Sequence, residues 1–161
     1  MKLHSYLLSA FLLLGSAGVC ADEMLMARMM MKADLAYEYL VTSIEEHGYS
    51  VAHVQTCDEG MADFGYKSDF YRVVFFGKGD EVRRISATHP EFAAYMPMKI
   101  TVVAERGETV LSIVNPRVFL AHYPGDQAMQ VQLGRWYNDI QSIFNDLQKA
   151  ASAAPAQAPK V

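Results

Sequence analysis

Lys99-Ile100-Thr101-Val102-Val103-Ala104-Glu105-Arg106-Gly107-Glu108-Thr109-Val110-Leu111-Ser112-Ile113-Val114 is the stretch on which the fold turns. Lys99 to Glu105 and Thr109 to Val114 are rich in β-branched residues, whose side chains are stiff and pack well on a pleated surface. The joint at Arg106-Gly107 is short, and its glycine accepts the positive φ that a tight hairpin turn demands. Two strands joined in this way pair antiparallel.

Upstream, Tyr71-Arg72-Val73-Val74-Phe75-Phe76 is the most β-prone window in the chain. It is closed by Gly77-Lys78-Gly79 and reads as a central strand. Asp80 begins a helical stretch toward Thr88; His89-Pro90 interrupts it, and Phe92 to Met96 adds a turn before Pro97. Tyr49 to Thr56 alternates as a strand, and Cys57 to Asp63 has loop composition.

Before that, Tyr37, Leu40, Val41 and Ile44 fall at i, i+3, i+4 and i+7. With Asp34 as a cap and Gly48 as a stop, they predict a helix over 34–47. Met24 to Lys32 reads as a strand. Downstream, Gly125 or Asp126 opens a helix whose Met129, Leu133, Trp136, Ile140, Ile143, Phe144 and Leu147 form one apolar stripe. The order β-α-β-β-α-β-β-α predicts an α+β two-layer sandwich: a mainly antiparallel sheet with helices on one face.

Composition bounds the function. The 161 residues carry 14 Lys+Arg against 18 Asp+Glu, a net charge of -4, and 52% of them are apolar. That is one globular domain, and its mildly acidic balance excludes nucleic acid as a partner, because phosphate binding needs a concentrated basic face. At the N-terminus Lys2 precedes an apolar run from Tyr6 to Leu14, with Val19 and Ala21 at the small-residue spacing of a cleavage site. Residues 1–21 therefore read as a signal peptide cut before Asp22, which sends the chain to the periplasm or outside the cell. The rival, a lipoprotein anchored at Cys20, is disfavoured by bulky Val19 just before the cysteine. The apolar run is shorter than the roughly 20 residues a membrane span requires, and no later segment supplies one. The expected organisation is thus signal peptide 1–21, folded domain 22–149, and a flexible Ala/Pro-rich tail 150–161.

Three stretches together resemble a known family: Tyr66-Lys67-Ser68-Asp69-Phe70-Tyr71-Arg72-Val73-Val74-Phe75-Phe76-Gly77, then Tyr95-Met96-Pro97-Met98-Lys99-Ile100-Thr101-Val102, then the strand ending Asn115-Pro116. In order and content, over about residues 34–116, they resemble the DUF302 family of small bacterial domains. Met96 and Met98 stand where that family usually has leucine, a change that keeps apolar volume. The resemblance implies an antiparallel α+β domain that forms homodimers, and it implies no particular activity.

Candidate chemistry centres on Cys57, the one cysteine left after signal cleavage. A lone thiol in an oxidising compartment is buried, paired between chains, bound to a ligand or reactive. Its neighbours Asp58 and Glu59 raise a thiol pKa and oppose reactivity. His53 and Cys57 have metal-pair spacing only on a helix; four residues of strand span roughly 13 Å, too far for one ion. Met24, Met26, Met29, Met30 and Met31 suggest soft-metal ligation, yet on a strand they divide between two faces, and packing is the favoured account. His47, His89 and His122 sit at element boundaries and read as structural or solvated, and Asn115-Pro116 ends the hairpin by an Asx-type turn. No Gly-x-Ser-x-Gly, His-Glu-x-x-His, phosphate loop or Cys-x-x-Cys occurs.

These observations lead to an expected non-enzymatic binding or accessory domain, exported and homodimeric, taking a small ligand or a periplasmic protein partner. The alternative is a periplasmic redox, metal or haem-handling protein with Cys57 as ligand and His53 or Met61 as helper. No residue pattern in the sequence specifies a cofactor.

Overall fold

The structure is a computed structural model and describes residues 23–67 and 69–153. Five strands, β1 (Met24–Met29), β2 (Ser50–Thr56), β3 (Tyr71–Gly77), β4 (Met98–Glu105) and β5 (Glu108–Val114), form one sheet in the order β1-β5-β4-β3-β2. All four pairings are antiparallel. Helices α1 (Ala33–Glu46), α3 (Gly79–Thr88) and α4 (Gln127–Ala153) accompany it, with a one-turn helix α2 (Asp58–Ala62) and two 3₁₀ segments, η1 (Pro90–Tyr95) and η2 (Pro116–His122).

The hairpin forms as its sequence dictates. Glu105 faces Glu108, and Arg106 and Gly107 both hold positive φ, 52° and 87°. That is the backbone of a primed two-residue turn, whose twist matches that of the strands. From it the register carries the apolar set inward: Leu25 opposite Ile113, Ala27 opposite Leu111, Leu111 opposite Val102, and Val74 opposite both Ile100 and Val54. β3 is flanked on both sides, as a central strand must be.

The inner face is covered by α1 and α4. In α4, Leu133, Trp136, Ile140, Ile143 and Leu147 are all fully buried, which bears out the stripe. In α1 the stripe is rotated from the expected one. Ala33, Ala36, Leu40, Ser43 and Ile44 face the core, and Tyr37 and Val41 lie half-buried at its margins. Two alanines leave room for a closer approach to the sheet than Tyr37 allows. Gly48, at φ 74°, ends α1 in a Schellman arrangement: Tyr49 N–H donates to the Ile44 carbonyl at 3.1 Å and Gly48 N–H to that of Glu45 at 2.9 Å.

Other expectations need correction. Lys32, not Asp34, holds the cap position of α1; Asp34 sits inside the first turn, where its Oδ1 accepts from Leu35 N–H at 2.9 Å. Cys57 to Asp63 is not simply loop, because Asp58–Ala62 closes one helical turn. The first strand stops at Met29, and α4 runs through Ala153, with Ala150 and Ala151 packed against the core. The expected tail boundary at 149 thus cuts a continuous helix; small side chains anchor it there because they meet the core closely. The signal-peptide reading of residues 1–21 and the rest of the tail lie outside the described residues. Among the described residues, no helix is long and apolar enough to cross a membrane.

Candidate functional site

The residues singled out by sequence do not converge. His53 is exposed on the sheet face away from the helices, its ring 5.8 Å from that of Phe75. Cys57 follows the end of β2 and is half-buried, its N–H bonded to the Tyr71 carbonyl at 2.9 Å. Strand β2 runs extended from His53 to Thr56, so the two remain roughly 13 Å apart. Met61 is nearer: its N–H donates to the Cys57 carbonyl at 2.9 Å, so thiol and thioether belong to one helical turn. What sequence reasoning missed here is Arg72. It comes from β3 to within 2.5 Å of Asp58 Oδ1, and this hydrogen bond holds the Asp58 carboxyl below its usual range. Among the described residues no group of three or more His, Cys, Asp or Glu can hold a metal ion.

The methionines separate by face. Met29 and Met31 are core residues, whereas Met24, Met26 and Met30 are exposed. Packing accounts for one face only, because nothing described covers the other.

A different place has the geometry of a site. Where β4 and β5 leave the hairpin ladder, η1, η2 and α4 close around the sheet's end and leave an apolar cleft. It is lined by Phe92, Tyr95, Met98, Lys99, Ile113, Val114, Pro116, Phe119 and Trp136. Each side chain is placed by a local signal. Pro90 starts η1, and the peptide between Met96 and Pro97 is cis where η1 gives way to β4. Asn115 starts η2, its Oδ1 accepting from Arg117 N–H at 3.0 Å; this is the expected Asx turn, and here it sets a wall.

The aromatic rings brace one another. Phe92 stacks on Trp136 at 6.0 Å and meets Phe119 edge-on at 5.1 Å, and Tyr95 lies 4.4 Å from Phe119. Such offset and edge-to-face contacts add about 0.5–1.5 kcal/mol each beyond area burial.

Two polar clusters fix these walls. Trp136 Nε1–H donates to Glu81 Oε2 at 3.0 Å, and Glu81 also accepts from Arg135 at 2.5 Å and from Gln132 at 3.3 Å. Arg135 continues to Asp139 at 3.4 Å, which in turn accepts the Tyr49 hydroxyl at 2.5 Å. Burial, followed by that bond, raises the Tyr49 pKa well above that of a free phenol. On the other side His89 lies between Asp126, at 2.9 Å, and Glu91, at 3.3 Å. Asp126 Oδ1 caps α4 through Met129 N–H at 2.8 Å, the main reason its carboxyl titrates low. His47 pairs with Asp146 at 3.0 Å.

The cleft holds about 50 Å³, room for roughly three or four waters, and is open on one side. That suits insertion of a small apolar group. The sequence did carry a signal: Phe92, Tyr95, Phe119 and Tyr123 crowd the segments around the hairpin that have neither strand nor helix period.

Comparison with solved structures finds the fold again. The crystal structure of an uncharacterized conserved protein DUF302 from Bacillus stearothermophilus matches 79% of this chain and 99% of its own, with a TM-score of 0.69 and 15% identity. Among curated proteins none matches. The family model described as a domain of unknown function, DUF302, matches residues 28–152, and the chain therefore belongs to the DUF302 family.

Proposed function

We propose that the protein is an exported, non-enzymatic binding domain that holds a small apolar group in the cleft between η1, η2 and α4. The observation that carries this reading is the lining itself: four aromatic side chains braced ring against ring, and one charged residue, Lys99. Such a surface retains a ligand by area and shape. An acid–base reaction would draw on a pair of titratable groups aimed at one point.

The homodimer belongs to the same reading. The sheet face opposite the helices presents Met26, Val73, Phe75, Thr101 and Val103, none fully buried, with Arg28 bridging to Glu105 at 2.7 Å across β5. Five strands about 4.8 Å apart and some six residues long give a face of roughly 24 by 20 Å. Two such faces stacked together bury about 1,000 Å², the lower bound for a stable association.

Native mass spectrometry of protein recovered from the periplasm tests export, dimer and ligand together. The expected spectrum is a dimer whose chain starts at Asp22 and carries a small organic mass that Val114→Trp, at the cleft mouth, removes. A chain that retains residues 1–21 overturns export, a monomer overturns the sheet pairing, and a mass unaffected by Val114→Trp overturns the cleft. The redox or metal-handling alternative draws on Cys57 and Met61 sharing one helical turn. It requires a bound metal, haem or sulfur species that Cys57→Ser abolishes.

A further inference from the structure

Resting on the sheet-pairing reading, we propose that two copies stack their open sheet faces with the strands running opposite ways, so that Lys99 of each copy lies over the partner's Glu105. The alternation of β4 puts these side chains on that face. Met98, Ile100 and Val102 are buried on the helix side, and Lys99, Thr101, Val103 and Glu105 point to the other.

Charge on the open face is split between its two ends. Lys99 stands at one end beside Phe75, with His53 next along the same row. Glu105 and Glu108 face each other at the hairpin end, where Arg28 reaches them at 2.7 and 3.6 Å. Two carboxylates against one guanidinium leave a negative charge there. Lys99 is exposed and, among the described residues, has no ion-pair partner. Between the ends lie Met26, Val73, Thr101 and Val103, uncharged and none of them buried.

A twofold axis that stacks two copies of one face lies either along the strands or across them. β4 is the middle strand of the five, so the face is centred near Val102. An axis along the strands sets Lys99 over the partner's Lys99 and Glu105 over the partner's Glu105. An axis across them reverses the ends: Lys99 lies over the partner's Glu105 and Thr101 over the partner's Val103, and the apolar rows still meet. Like charges juxtaposed across an interface are penalised and opposite ones fix register, so the charge pattern selects the second arrangement. The roughly 30° between aligned stacked sheets displaces an end residue by about one strand, which keeps Lys99 near the partner's Glu105 or the partner's Glu108. A second copy is the occupant because the face complements itself; its area is at the lower bound for stable association, so charge decides the register.

The test treats the full chain with a water-soluble carbodiimide, which joins an amine to a carboxylate it touches, and maps the product by peptide mass spectrometry. Within one copy Lys99 and Glu105 are six strand positions apart, roughly 20 Å, so an amide between them forms only between copies. The expected product is a dimer linked from Lys99 to the partner's Glu105 or the partner's Glu108. Sedimentation equilibrium gives a second readout. Lys99→Glu is expected to raise the dimer Kd about tenfold, and Lys99→Arg to leave it within about threefold. Lys99 is exposed, so its replacement leaves the core intact, which circular dichroism verifies. A dimer without that amide, a Kd unmoved by Lys99→Glu, or a dimer that Lys99→Met tightens by relieving like charge overturns the arrangement and leaves sheet stacking standing. A chain still monomeric at about 0.1 mM overturns both.

Discussion

Replacing Glu81 by alanine probes the device that holds the cleft's back wall. The Glu81 side chain is 15% exposed and accepts from Trp136, Arg135 and Gln132. Trp136 is 1% exposed, so its indole N–H is left without a partner and out of reach of water. A buried donor so orphaned costs about 1–3 kcal/mol. Arg135 is 37% exposed and keeps Asp139, so its loss is discounted to roughly 0–1 kcal/mol. Removing an acid from the first turn of α3 costs a further few tenths, offset by alanine's helix propensity. The expected destabilisation is about 1–4 kcal/mol, a fall in Tm on the order of 10 °C. Glu81→Gln keeps an acceptor for the indole and should cost about half as much. Urea denaturation monitored by Trp136 emission measures both. Stabilities within about 0.5 kcal/mol of the parent for both variants, with unchanged emission, would refute the argument that Glu81 positions Trp136.

Further expectations follow from other parts of the fold. Gly134 lies inside α4, and a Cβ built there meets nothing within 4 Å, so Gly134→Ala should stabilise by roughly 0.5–1 kcal/mol in urea melts. Tyr49→Phe removes the 2.5 Å bond to Asp139 and should cost about 1.5–3 kcal/mol by the same assay, since the acceptor is charged. The pH profile should fall at both ends. Asp58, Glu91, Asp126 and Asp146 titrate below their ordinary values, so their contribution is present above about pH 4 and is lost as pH falls through the folded values. Tyr49 titrates above its ordinary value, so its contribution is present below about pH 10 and is lost at higher pH. Denaturation midpoints across pH 2–11 check both limbs; Asp146→Asn should flatten the acid one, because its bond to His47 is the chief cause of its shift.

Much of this architecture was legible because its signals are local. The Arg106-Gly107 turn fixes hairpin register, register fixes which side chains point inward, and the α4 stripe has one solution for its buried face. The order of elements and the antiparallel sheet follow from those. The rotation of α1 was not legible, because which stripe faces inward depends on how closely Ala33 and Ala36 approach the sheet. The cleft was harder still. Its lining comes from η1, β4, β5, η2 and α4, and Phe92 and Trp136 lie 44 positions apart without a motif between them. Sequence reasoning turned instead to Cys57, His53 and Met61, residues with intrinsic chemistry, and two of those three share a turn while the third stays on the strand. An aromatic surrounded by aromatics reads as core until the backbone shows which end of the core is open.

The most direct measurement is a methyl-resolved NMR titration of the protein with phenylacetate. Binding in the cleft predicts saturable shifts at the Met98, Ile113 and Val114 methyls, with those of Met61 and Met30 unmoved. Shifts centred on Met61, or none at the cleft methyls at saturating ligand, would contradict the assignment of the cleft as the binding site.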